Sequence, residues 1–90
     1  LGLPFNIASY GMLLELIANE VNMVPDELIG NLGDVHLYSN HIQQANIQCS
    51  RQSYNLPELT KLKSNLLDGE FDYSIEYYES WPRIEAPISN

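Results

Sequence analysis

The stretch LGLPFNIASYGMLLELIANEV, residues Leu1–Val21, decides how the rest of the chain is read. Asn6 carries the side-chain oxygen that an N-cap uses to accept an orphan backbone N–H, and Ile7 to Val21 then reads as a helix. Ile7, Ala8, Tyr10, Met12, Leu13, Leu14, Leu16, Ile17, Ala18 and Val21 cover most of its circumference, leaving a narrow polar stripe near Glu15, Asn19 and Asn22. A helix apolar nearly all round needs cover on several sides. Ninety residues hold too little other apolar material to wrap it, so the pattern predicts the central helix of something larger. Pro25 is expected to end it, with Asp26 and Glu27 in the turn.

Outward from that helix, residues 28–38 read as a strand, with Gly30 and Gly33 marking a bulge or a close backbone approach. Period two sorts its faces: Val35 and Leu37 point one way, Asp34, His36 and Tyr38 the other. Ser39 or Asn40 then caps a second, short helix whose Ile42, Ala45 and Cys49 form one buried stripe. A loop to Asn55 follows, then strands over Leu56 to Leu62 and Tyr73 to Tyr77 with Asp68-Gly69 as a turn signal between them. Trp81-Pro82 and Ala86-Pro87 punctuate an extended tail. The predicted class is α+β, residues 1–90 amount to one domain at most, and no internal repeat occurs.

Charge and composition exclude several function classes. A formal charge of -8 repels polyanions and argues against DNA binding. One cysteine closes no internal disulfide, which removes the stapled secreted mini-proteins. No apolar run is long enough to span a membrane, and the chain opens at Leu1 in what reads as mid-structure, with neither an initiator Met nor a basic signal-peptide start. Residues 1–50 hold five acids and no Lys or Arg, so an anion bound by this half draws its positive partners from elsewhere. The acids of residues 68–79 read as a solvated face.

Few residues carry chemistry on their own. Cys49 falls toward a helix C-terminus, where the dipole disfavours thiolate, and reads as packing. His36 and His41 match no zinc signature, so no metal is expected, and no phosphate-loop, dinucleotide or hydrolase motif occurs. The face of Asp34, His36 and Tyr38 suits a wet sheet surface or a pocket in which an imidazole and a phenol bind a sugar hydroxyl. Asn6 is open to two readings also. It caps the helix, or its carboxamide, one acceptor beside one donor group, matches the N3–H donor and O4 acceptor of a uracil ring.

Read together, Leu1-Gly-Leu-Pro-Phe-Asn-Ile-Ala-Ser-Tyr10, Gly33-Asp-Val-His-Leu-Tyr-Ser-Asn-His41 and Ile84-Glu-Ala-Pro-Ile88 resemble, in order and separation, the C-terminal third of thymidylate synthase. The resemblance runs across essentially the whole chain. It implies the C-terminal part of that fold, a buried central helix with strands of a mixed sheet and a second short helix. It also implies a cytoplasmic homodimer that methylates dUMP reductively to dTMP, with 5,10-methylenetetrahydrofolate supplying carbon and hydride. By the same resemblance Asn6 reads the uracil edge, His36 and Tyr38 hold the ribose 3′-hydroxyl, Leu1, Gly2 and Phe5 lie along the folate, and the C-terminal residues Ile88 and Ser89 close over it.

The family's nucleophile stands in a Pro-Cys-His motif that these ninety residues lack, Cys49 being flanked by Gln48 and Ser50. Its phosphate-gripping arginines and the aspartate that contacts the pterin are expected upstream of Leu1, so the chain is expected to be a fragment, inactive alone. Differences from the usual pattern are Gln52-Ser53-Tyr54-Asn55 in the loop after the second helix, Ser80-Trp81-Pro82 before the last segment, Glu85, and the ending Ser89-Asn90. Two alternatives remain: a non-catalytic dimerisation or regulatory remnant of the family, and a dUMP hydroxymethylase that traps the methylene adduct with water. Related enzymes acting on dCMP carry an acid at the position of Asn6, because cytosine presents a donor at N4 and a bare N3. In a complete enzyme, Asn6→Asp is therefore expected to weaken discrimination against dCMP, measured as the ratio of kcat/KM for the two nucleotides; an unchanged preference for dUMP would show that Asn6 does not read the base.

Overall fold

A computed structural model describes residues 1–89. In chain order it holds helix α1 (Leu3–Glu20), one 3-10 turn (Ser39–His41), helix α2 (Ile42–Ser50) and an antiparallel hairpin of strands β1 (Glu58–Asn65) and β2 (Glu70–Glu76). Helices and a separate hairpin are compatible with the α+β class.

Helix α1 starts earlier than the Asn6 signal predicts. Gly2 is the N-cap residue and Pro4 sits in the first turn, where its missing N–H leaves nothing unsatisfied and its fixed φ already suits a helix. The N–H groups of Phe5 and Asn6 both donate to the Gly2 carbonyl, at 3.1 and 3.3 Å. Asn6 is thus inside the first turn, and no side chain caps the helix. The other end also differs: Asn22 takes a left-handed φ of 55°, Met23 N–H donates to Ala18 O at 2.7 Å and Asn22 N–H to Asn19 O at 3.3 Å. This paired arrangement closes the last carbonyls, so a Schellman motif at Asn22 stops α1 before Pro25 is reached.

The hairpin forms close to where alternation places it. Its turn, residues 66–69, is closed by Asp68 N–H on Asn65 O and Gly69 N–H on Leu66 O, both at 3.2 Å, and Asn65 also donates to the Asp68 carboxylate. Gly69 supplies the φ of 69° that the turn requires. One extra residue between Lys61 and Lys63 shifts the register, a bulge in β1.

Residues 28–38, in contrast, form no strand. Alternation assigns faces to a segment but supplies no ladder partner, and β1 with β2 is the one pairing among the described residues. The sheet is accordingly two-stranded and antiparallel rather than mixed, and Val35 and Leu37 are exposed. The expected buried stripe on α2 is corrected as well. Ile42 and Cys49 are exposed, and the half-buried positions are His41, Gln44, Ala45 and Gln48, a different face at i, i+3, i+4 and i+7.

The predicted burial of α1 is not provided within this chain. Only Leu16 and Ala18 are buried hydrophobics among the described residues, and they lie about 200° apart around the helix. Ile7, Tyr10, Leu13, Ile17 and Val21 stay exposed although β1 packs on α1. The accessible surface is 7990 Å², where a folded monomer of this mass exposes about 5,300 Å². The radius of gyration is 16.2 Å, against about 12 Å for a compact domain of this length. The isolated chain is therefore expected to bind a hydrophobic dye such as ANS and to lose its helical circular dichroism over a broad temperature range; a sharp two-state melt of a monomer would contradict this reading of α1.

Candidate functional site

His36 and Tyr38 are brought together on the irregular segment that runs from a bend at Gly33-Asp34 into the 3-10 turn, where Tyr38 is extended. Their ring centroids lie 5.2 Å apart in an edge-to-face arrangement with an interplanar angle of 76°. The ring contact puts both on one side even without a ladder, so this part of the face expected from the sequence survives the loss of the strand. Asp34 is on the same side, its Oδ1 3.6 Å from His36 Nδ1. At that distance and with Asp34 fully in solvent the pair orients the ring weakly. Tyr38 packs on a second imidazole, His41, with centroids 5.4 Å apart and rings perpendicular. His36, Tyr38 and His41 thus form a continuous row of rings presenting a phenol O–H and imidazole nitrogens.

Asn6 is on a different element, helix α1. Its carboxamide is exposed on the first turn of α1 and makes no hydrogen bond among the described residues, to a backbone group or to His36 or Tyr38. The capping role is removed, and a donor–acceptor fork is left presented to solvent. Phe5 lines a groove of about 770 Å³ between α1 and the hairpin, with Met12, Leu59, Ile75 and Tyr78 as its apolar walls and Glu15 and Glu58 among its polar lining. Leu1 and Gly2 lie just before α1 and are exposed. Ile88 is exposed and Ser89 half-buried at the far end of the tail. No hydrogen bond or ring contact joins these two to Leu1, Gly2 or Phe5 among the described residues.

The tail itself is held in a way the sequence does not signal. Trp81 Nε1 donates to Gln52 O at 2.8 Å, its indole stacks on Tyr54 with centroids 5.4 Å apart, and the Arg51 guanidinium lies 5.8 Å over the ring. Further on, Gln44 Nε2 reaches Glu85 O at 3.4 Å and His41 Nε2 reaches Pro87 O at 2.6 Å. Cys49 is exposed on the far helix turn, and no group of three or more His, Cys, Asp or Glu among the described residues is arranged to hold a metal ion. No helix among the described residues is long and apolar enough to cross a membrane.

Compared with models of protein families, the chain matches the one described as Thymidylate synthase over residues 1–90. The chain belongs to the thymidylate synthase family. Membership places it among methyltransferases that use methylenetetrahydrofolate as co-substrate. No solved structure matches the chain. Against the usual thymidylate synthase pattern, two of the sequence differences prove to be neighbours in space: Trp81 sits on Gln52 and Tyr54, so the altered loop and the altered tail form one contact.

Because Asn6 caps nothing, Asn6→Ala is expected to leave the helical circular dichroism and the unfolding midpoint of the assembled protein unchanged, within about 0.5 kcal/mol. A true N-cap loses about 1 kcal/mol on the same change, so a loss of that size in chemical denaturation would restore the capping role.

Proposed function

We propose that these ninety residues are the C-terminal part of a thymidylate synthase domain and supply the base-reading, sugar-holding and folate-closing residues of a site completed by other polypeptide. The family match over residues 1–90 carries this reading. Two features of the fold support it: a helix with a core-like surface left open, and an Asn6 carboxamide with no structural task.

In this reading Asn6 accepts from the uracil N3–H through its oxygen and donates from its NH2 to O4. His36 and Tyr38, already edge to face, hold the ribose 3′-hydroxyl between an imidazole and a phenol. Leu1, Gly2 and Phe5 flank the folate and Ile88 with Ser89 closes over it, as part of a cytoplasmic homodimer. Attack at C6 needs the cysteine of a Pro-Cys-His motif, and that comes from outside these residues. The methylene group of methylenetetrahydrofolate is transferred to C5, loss of the C5 proton to base expels tetrahydrofolate and leaves an exocyclic methylene, and hydride from that tetrahydrofolate reduces it to methyl as the cysteine thiolate leaves C6, giving dTMP and dihydrofolate. A closed site matters for the hydride step, because water reaching the exocyclic methylene gives hydroxymethyl instead.

Mixing the chain with a separately produced N-terminal portion is expected to yield dTMP from dUMP and methylenetetrahydrofolate, while the chain alone yields none. Soluble, associated halves without turnover would support the non-catalytic remnant in place of the enzyme part. A product heavier by one oxygen would assign a hydroxymethylase.

A further inference from the structure

The covered face of α2 is mostly polar. The half-buried positions, His41 at its N-cap and Gln44, Ala45 and Gln48 within it, include the two side chains that hold the C-terminal tail. Glu85 and Pro87 are two residues apart, and the carbonyls of both accept from this face. His41 and Gln44 are three apart at the start of a helix and share a side. At Glu85 and Pro87 the tail is therefore docked along this face through main-chain carbonyls.

Of the two bonds, that of Gln44 is long at 3.4 Å and that of His41 short at 2.6 Å. A carbonyl only accepts, so His41 Nε2 carries the proton and donates. The same imidazole meets Tyr38 edge to face at 5.4 Å, and Tyr38 in turn meets His36 at 5.2 Å. One ring thus touches both the residue two before Ser89 and the sugar-holding phenol. Trp81 pins the other end of the tail on Gln52, so the segment between is fixed at both ends and Ile88-Ser89 projects just beyond the second fixing point.

We propose that His41 is a positioning residue that locks the C-terminal closing segment to the Tyr38 ring, so that the folate lid and the sugar clamp are held as one unit. This rests on the thymidylate synthase reading for what the lid and clamp bind, and on contacts within this chain for the lock. The ring and the donor do separable jobs: the ring supports Tyr38, the Nε2–H holds Pro87.

The test uses the complete enzyme assembled from this chain and the N-terminal portion, with two variants. His41→Phe keeps a ring against Tyr38 and removes the donor; His41→Gln keeps an N–H donor and removes the ring. In His41→Phe the 15N order parameters of residues 85–89 are expected to fall from about 0.85 to below about 0.6, with KM for methylenetetrahydrofolate raised about tenfold and KM for dUMP changed less than threefold. His41→Gln is expected to keep the tail ordered and the folate KM within about threefold, and to raise the dUMP KM instead. When residues 87–90 are removed, His41→Phe is expected to have no further effect on folate KM, because its partner is gone. An ordered tail in His41→Phe, equal effects of the two variants on both KM values, or an undiminished His41→Phe effect after tail removal would overturn the proposal. If the assembled protein turns over no dUMP, the functional reading fails, and the order parameters still decide whether His41 locks the tail.

Discussion

A helix with an apolar surface on nearly every side is the constraint from which the other features follow. Desolvating such a helix requires cover on several sides, and this chain supplies β1 on one side and little else. Leu16 and Ala18 are buried while Ile7, Tyr10, Leu13 and Ile17 are not. The extended outline, the excess accessible surface and the unpaired segment at residues 28–38 all express the same shortage of packing partners. Exposed apolar surface on this scale belongs to an interface. In the proposed reading the occupant of that interface is the rest of the same domain.

The placement of chemistry follows from that constraint. Asn6 lies on the first turn of the exposed helix, and His36 and Tyr38 lie on a segment that has no ladder of its own. Neither group is held by a closed shell of neighbours in this chain. What is already organised is local: a pair of rings two residues apart, and a tail pinned to α2 by Trp81 and His41. The division is the one expected for a composite site, in which short-range geometry is present in the part and long-range geometry waits for the whole.

Legibility in the sequence follows the same line. Helix α1, helix α2 and the hairpin with its Asp68-Gly69 turn were readable because periodicity and turn chemistry are local signals. The strand predicted over residues 28–38 is absent because alternation says which face a residue takes and nothing about whether a neighbour exists to pair with. Asn6 was a plausible cap by residue type, but Pro4 starts the helix one turn sooner, and Asn22 ends it before Pro25 does. The expected apolar stripe of α2 gave way to a polar one because the tail, more than forty residues on from His41, covers that side with its carbonyls. A contact of main-chain carbonyl with side-chain donor leaves no hydrophobic period to find. The aromatic contact of Trp81 with Tyr54 likewise joins two segments that each read only as irregular.

The central claim is that Asn6 meets the paired rings of His36 and Tyr38 on one nucleotide once the domain is whole. Titrating dUMP into the assembled protein while following the Asn6 side-chain amide and the His36 and Tyr38 ring resonances measures this most directly. The account predicts that all three shift along one binding curve and that none shifts in the chain alone. An Asn6 amide that stays unmoved while the two rings respond, or three curves with different midpoints, would contradict it.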